Sequence, residues 1–122
     1  MTMNAKHLIL AGCAVSLLAA PIVAQSVTAP PGDAARGKQA YSETGCYACH
    51  GTVGHGGAWQ GPKLAPQPLA YPLFLRQVRN PVRSMPRYSP EVLSDAEVAD
   101  IYAYLRTIPP SKTAEETGLL EY

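Results

Sequence analysis

The clearest pattern of apolar and polar positions lies near the C-terminus and predicts a helix. Ser94 followed by Glu97 is a capping box, and Pro109-Pro110 ends the pattern. Helical spacing brings several apolar residues onto one side of this helix, namely Val98, Ile101, Tyr102, Tyr104 and Leu105. Asp100 and Arg106 fall outside this set, so we expect both side chains to face water.

A second helix is predicted over residues 34–44. Asp33 is a suitable N-cap, and Gly45 is a natural stop. The three-and-four spacing places a notched surface on one face, made of Gly37, Ala40, Tyr41 and Thr44. Glycine inside a helix costs about 1 kcal/mol relative to alanine. Gly37 therefore indicates that another element approaches closely.

The middle of the chain is less regular. Pro72 can open a short helix over residues 73–80, which Asn80-Pro81 would close. The glycine-rich stretch 51–61 and the proline-containing stretch 65–72 have neither helical nor strand periodicity. The fold class is therefore all-α with irregular loops. We expect a lead-in at residues 25–32, one domain at 33–109 and a tail at 110–122.

The first 24 residues resemble a secretory signal peptide. A short polar stretch with Lys6 precedes an apolar run, and small residues lead to a cleavage position after Ala24. Retention as a membrane anchor is an alternative, although a spanning helix needs about 20 apolar residues. A lipoprotein acylated at Cys13 is another. We expect the mature chain in the periplasm.

The main chemical motif is Cys46-Tyr47-Ala48-Cys49-His50, the C-x-x-C-H pattern of covalent haem attachment. The two thiols would form thioethers with one porphyrin, and the imidazole of His50 would bind one axial side of the iron. Zinc binding and thioredoxin-like redox chemistry also use C-x-x-C. A zinc site needs four ligands, which His55 could complete only within a strained ten-residue segment. A thioredoxin motif should follow a strand, and none is predicted here.

Two residues of the mature chain could be the sixth iron ligand. Met85 is its only methionine, in an irregular segment bracketed by prolines that restrict the backbone. Histidine opposite methionine is the ligand pair of many electron carriers, which favours Met85. His55 would have to wrap sharply round the porphyrin edge. Packing in the core is the alternative role for Met85.

With these motifs the chain resembles a small bacterial class I cytochrome c over roughly residues 33–109. The matching residues are Gly37, Tyr41, residues 46–51, Gly61-Pro62-Lys63-Leu64, Met85-Pro86 and residues 101–105. The resemblance implies three to four short helices and irregular loops packed around one covalent haem c. It implies that the first and last helices cross at Gly37 and Tyr41, and that the Pro62 carbonyl accepts a hydrogen bond from His50. The interval between His50 and Met85 is short compared with mitochondrial members, and the tail has no counterpart.

The expected function is the transfer of single electrons by Fe(III)/Fe(II) cycling rather than enzymatic catalysis. Partners would be a periplasmic dehydrogenase, a quinol oxidase complex or a terminal oxidase. Alternatives are the cytochrome subunit of a dehydrogenase, and a haem sensor or peroxidase-like protein with a dissociable Met85. Four arginines in a segment without acids are candidates for docking: Arg76, Arg79, Arg83 and Arg87. The mature chain has equal numbers of acidic and basic residues, so nucleic acid is not an expected partner.

Overall fold

A computed structural model describes residues 28–57 and 61–118 of the 122-residue chain. These residues form four helices and contain no strand: α1 (Ala34–Glu43), α2 (Tyr47–His50), α3 (Tyr71–Arg79) and α4 (Asp95–Thr107). The all-α fold class is confirmed. The predicted signal peptide at 1–24 with Cys13, the start of the lead-in and the end of the tail lie outside the described residues. No described helix is long and apolar enough to cross a membrane.

Helices α1 and α4 begin at the caps that the sequence predicts. The Asp33 side chain accepts a hydrogen bond from the backbone N–H of Arg36 at 2.9 Å. At α4, Ser94 and Glu97 form both hydrogen bonds of the capping box. Each cap satisfies backbone donors that the first helical turn would otherwise leave without a partner. Local chemistry at the helix starts is therefore sufficient to place both terminal helices.

The middle of the chain differs from the sequence-based prediction in two respects. Helix α2 was not predicted, because four residues are too few to show a helical period. Helix α3 begins at Tyr71, two residues before the predicted start, and Pro72 lies in its first turn. The preceding Ala70 provides no side-chain cap, so the sequence carries no capping signal for this start.

The two terminal helices cross at Gly37, where a side chain would not fit. A Cβ atom at this position would overlap the backbone carbonyl of Asp100 and lie 2.8 Å from the nitrogen of Ile101. One turn further along α1, Tyr41 is 1 % exposed and packs against Tyr104 with ring centroids 5.7 Å apart. The notch in α1 therefore allows the backbones of α1 and α4 to come into contact.

The prediction that Asp100 faces water was wrong. Its side chain is 7 % exposed and accepts hydrogen bonds from Arg36 Nε at 2.8 Å and from the backbone N–H of Asp33 at 2.6 Å. These two hydrogen bonds, first from Arg36 and then from Asp33, hold the pKa of the Asp100 carboxyl below its ordinary value of 3.8. Arg106 is exposed as predicted, and its guanidinium lies 5.9 Å from the centre of the Tyr102 ring.

Helix α3 packs on the other side of α4 through aromatic contacts. The Tyr102 ring lies 5.2 Å from that of Tyr71 and 5.3 Å from that of Phe74. Tyr71 and Phe74 are themselves buried, as is Val78 one turn later. The buried apolar cluster therefore joins α1, α3 and α4, and the segments between these helices surround a cavity at its side.

Candidate haem site

A cavity of about 750 Å³ brings together the residues that the sequence analysis selected. Cys46, Cys49, His50 and Met85 all line it. Most of the remaining lining is apolar and comes from α3, α4 and the loops, including Leu64, Leu69, Phe74, Val78, Val82, Leu93, Val98 and Ile101. Pockets of this size and character accommodate organic cofactors.

The two cysteines flank the short helix α2. Cys46 is its N-cap and is half-buried, whereas Cys49 is exposed, and neither is in a disulfide. The His50 backbone N–H donates to the Cys46 carbonyl at 2.9 Å, which closes the helical turn that spans the motif. Burial raises the pKa of the Cys46 thiol above its ordinary value, and the Thr44 hydroxyl lies 3.3 Å from its sulfur. The turn places both thiols at the rim of the same cavity.

The imidazole of His50 is 8 % exposed and is oriented by the next loop. Its Nδ1 atom lies 2.8 Å from the carbonyl oxygen of Pro62. A carbonyl can only accept, so Nδ1 is the donor in this contact, and in the corresponding neutral tautomer the free lone pair is on Nε2. Such an arrangement selects one tautomer and fixes the ring plane, as it does for histidines that bind metals.

Gly61 makes this histidine environment possible, and the sequence analysis did not assign it that role. A Cβ atom at Gly61 would lie 2.6 Å from His50 Nδ1 and 2.9 Å from the carbonyl oxygen of Cys49. Its backbone N–H donates to that carbonyl at 2.7 Å. The Gly-Pro order is the sequence signal: glycine allows the close approach, and the following Pro62 presents the acceptor.

Met85 lies in the loop between α3 and α4 and is half-buried against the apolar cluster. The amide nitrogen Nε2 of Gln77, on α3, lies 3.6 Å from the sulfur and can donate a weak hydrogen bond to it. Gln77 was missed in the sequence analysis. Its contact depends on how the loop folds back on the helix, which no local pattern reveals.

His55 is directed elsewhere. Its Nε2 atom lies 2.9 Å from the carbonyl oxygen of Pro109, just after α4. It is not among the residues that line the cavity. The imidazole therefore connects the glycine-rich loop to the end of the last helix. Of the two candidates for the sixth iron ligand, only Met85 lines the cavity.

Comparison with protein families decides between the uses of C-x-x-C. Residues 32–105 match the family model described as cytochrome C oxidase, cbb3-type, subunit III. The chain belongs to this family. The match covers more than half of the chain and includes both cysteines, His50 and Met85. Searches of curated proteins and of solved structures found no significant match.

Membership confirms the predicted resemblance and the cofactor. This cytochrome c domain has one C-x-x-C pair and therefore one covalent haem c, which replaces the zinc and thioredoxin-like alternatives. Cytochrome c domains of this family transfer electrons, typically as carriers rather than enzymes, and are usually extracytoplasmic. Respiratory proteins such as a terminal oxidase are the partners that the family suggests.

The lining of the cavity fits a haem. Two thiols at its rim match the two thioether bonds, and an imidazole and a thioether are suitable iron ligands. Leu69 and Val82 line the cavity although they are 56 % and 61 % exposed. The flat apolar surface of a porphyrin would cover such side chains.

The four arginines of the predicted docking cluster are not equivalent in this cytochrome c domain. Arg79 is 14 % exposed, pairs with Asp95, and donates from Nη1 to the Tyr88 carbonyl at 3.0 Å. Arg79 therefore belongs to the internal structure and is removed from the cluster. The other three are exposed and form no ion pair with any described residue: Arg76, Arg83 and Arg87.

Proposed function

We propose that the protein is a periplasmic carrier of single electrons between respiratory redox partners, a dehydrogenase or quinol-oxidising complex on one side and a terminal oxidase on the other. Cys46 and Cys49 would hold the haem as thioethers, and His50 and Met85 would bind its iron. The observation that carries the proposal is the single cavity that all four side chains line, although Met85 lies 35 positions after His50.

A haem with histidine and methionine ligands supplies one-electron redox chemistry and no vacant position for a substrate. The chain supplies the fixed geometry. Pro62 orients the His50 ring through the 2.8 Å contact at Nδ1, which leaves Nε2 as the atom that would bind the metal. The apolar lining excludes water from the inner part of the cavity. With the imidazole held in this way, the surroundings of a bound haem would rearrange little when it gains or loses an electron.

The proposed docking patch consists of three arginines: Arg76, Arg83 and Arg87. Arg83 lines the cavity, and its two companions lie on α3 and in the loop after it. Exposed positive charge beside the cofactor would attract an acidic surface on a partner and increase the encounter rate at low salt. The patch would therefore favour partners that present an acidic surface.

The visible spectrum of the haem-loaded protein tests the axial ligands. We expect the weak far-red band of methionine sulfur bound to ferric iron, and no carbon monoxide binding to the reduced protein. Met85→Ala should keep covalent haem, lose the band and bind carbon monoxide. Leu64→Ala is the matched control, since it also truncates a half-buried side chain that lines the cavity.

Two results would redirect the proposal. A band that survives Met85→Ala would refute ligation by Met85. Carbon monoxide binding by the unmodified reduced protein would favour the sensor or peroxidase-like alternative.

The mass of the mature protein tests the location, because cleavage after Ala24 predicts Gln25 as its first residue. Co-purification with a larger dehydrogenase would instead favour the subunit role.

A further inference from the structure

The loop that contains Met85 is anchored through one residue at its C-terminal end. We call residues 81–88 the Met85 loop. The Tyr88 backbone N–H donates to the Val78 carbonyl at 3.1 Å, and the Tyr88 carbonyl accepts from Arg79 Nη1 at 3.0 Å. Both backbone groups of Tyr88 are therefore bound to the last turn of α3. Arg79 is itself held by its ion pair with Asp95 at the start of α4.

The side chain of Tyr88 extends to the other side of the cavity. Its hydroxyl donates to the backbone carbonyl of Thr44 at 2.9 Å. Thr44 is the C-cap of α1, two residues before Cys46, and its own hydroxyl lies 3.3 Å from the Cys46 sulfur. The Tyr88 ring lines the cavity between these ends. A single residue thus connects the Met85 loop with the segment that carries the cysteines.

We propose that Tyr88 is a positioning residue that fixes the Met85 loop relative to the Cys46–His50 segment and so determines how firmly Met85 stays on the iron. The proposal rests on the proposed function, in which Met85 is the sixth ligand. Opening of the loop must break the bond between Tyr88 and Thr44, whereas unfolding of α1 or α4 is not required. One neutral hydrogen bond changes such an equilibrium by about two- to tenfold.

A general stabilising role for the hydroxyl is the competing explanation, and Tyr71 provides the control for it. Its hydroxyl also donates to a backbone carbonyl, that of Asp95, at 3.3 Å. Burial is the main cause that raises the pKa of both tyrosines, so both hydroxyls stay protonated as donors at neutral pH. Tyr71 lies on α3 and does not line the haem cavity. Tyr71→Phe and Tyr88→Phe therefore remove similar bonds, and only the second bond holds the Met85 loop.

Imidazole titration of the ferric haem-loaded protein measures loop opening, because imidazole can bind only when Met85 leaves. The loss of the far-red methionine band follows the exchange. We expect Tyr88→Phe to raise the apparent imidazole affinity about two- to tenfold, the effect of one hydrogen bond. Tyr71→Phe should leave it unchanged. Unfolding midpoints measured in guanidinium should be similar in the two variants.

A second pair of variants tests the same proposal from the backbone side. Arg79→Gln removes both the bond to the Tyr88 carbonyl and the ion pair, whereas Asp95→Asn removes the charge of the pair and leaves the bond to Tyr88. We expect a larger rise in imidazole affinity for Arg79→Gln than for Asp95→Asn.

The outcomes separate this proposal from the one on which it rests. The wild type, Tyr88→Phe and Arg79→Gln could show equal imidazole affinities with the methionine band present in all three. That result would overturn the positioning role of Tyr88 and leave ligation by Met85 in place. The same conclusion follows if Tyr71→Phe raises the affinity as much as Tyr88→Phe. A wild-type protein without the methionine band would overturn ligation by Met85 and the positioning role together.

Discussion

Replacement of Gly37 by alanine should destabilise the domain even though alanine is the better helix former. The added Cβ would overlap the Asp100 carbonyl and lie 2.8 Å from Ile101 nitrogen. Carbon contacts become favourable only at about 3.5 Å, so even the more distant of these contacts requires the helices to separate by about 0.7 Å. The obstacles are backbone atoms of α4, which cannot rotate away as a side chain can.

The expected magnitude follows from two opposing effects. Overpacking costs up to about 3 kcal/mol when neighbours cannot adjust. The better helix propensity of alanine returns about 1 kcal/mol. The net loss of unfolding free energy is therefore about 2 kcal/mol, which lowers the melting temperature of a domain of this size by about 10 °C or slightly more.

Guanidinium unfolding of the haem-loaded protein, followed by far-UV circular dichroism, measures this loss. The pair Lys38→Ala and Lys38→Gly provides the control, since Lys38 is exposed on the same helix and its two variants differ only in propensity. We expect alanine to be the more stable variant at position 38 and the less stable one at position 37. A Gly37→Ala protein as stable as the wild type would refute the argument that the two backbones are in contact.

Three further predictions concern charge and the proposed iron ligand Met85. Because the folded-state pKa of Asp100 is depressed, its ion pair stabilises the fold above the unfolded pKa near 3.8, and this contribution is lost as pH falls through the lower folded value. Asp100→Asn should therefore be less stable at pH 7 and lose less stability during acid titration than the wild type. Gln77→Leu should lower the reduction potential, because the amide N–H withdraws electron density from the Met85 sulfur and disfavours ferric iron; Gln67→Leu, another cavity-lining glutamine, should not. Neutralising the docking patch with glutamine should slow oxidation by ferricyanide and accelerate oxidation by a cationic cobalt complex.

Each of these three predictions has a clear contrary result. Parallel acid-unfolding curves for Asp100→Asn and the wild type would show that the ion pair with Arg36 has no net effect. Equal potentials for the two glutamine variants, measured by spectroelectrochemistry, would remove any role of Gln77. The control for the docking patch neutralises three exposed cations that do not line the cavity: Lys38, Arg106 and Lys112. If these control changes alter each oxidation rate as much as the changes in the patch do, net charge rather than the patch controls the encounter.

The elements that the sequence predicts well are those with local signals. The caps at Asp33 and Ser94 and the C-x-x-C-H motif involve residues that are within a few positions of each other, so their patterns can be read directly. Gly37 was also interpretable, since a glycine inside a helix indicates a close neighbour. Three of the four helices follow from such signals, and the residues around the cavity follow largely from the motifs and the family resemblance.

The features that were missed depend on contacts between distant parts of the chain. No nearby residue indicates that Asp100 is buried, because its partner Arg36 is 64 positions away. Arg79 looks like its exposed neighbours in sequence, and only the folded Met85 loop brings the Tyr88 carbonyl to it. The contact of Gln77 with Met85 likewise depends on the path of the loop and not on a sequence pattern. Polar residues whose partners are remote are the ones for which the sequence-based prediction fails.

The contact between the terminal helices also determines when the cysteines become confined during synthesis of the chain. Hydrogen bonds from Asp33 and Arg36 to Asp100 span 67 and 64 positions, so the first helix can be locked only after nearly the whole domain is available. A chain emerges with its N-terminus first, and these long-range contacts can form only when both ends of the loop are present. Cys46 and Cys49 therefore emerge well before α4 can complete the cavity wall. We expect this interval to leave both thiols open to the machinery that attaches haem, so that the domain folds around a cofactor it already carries.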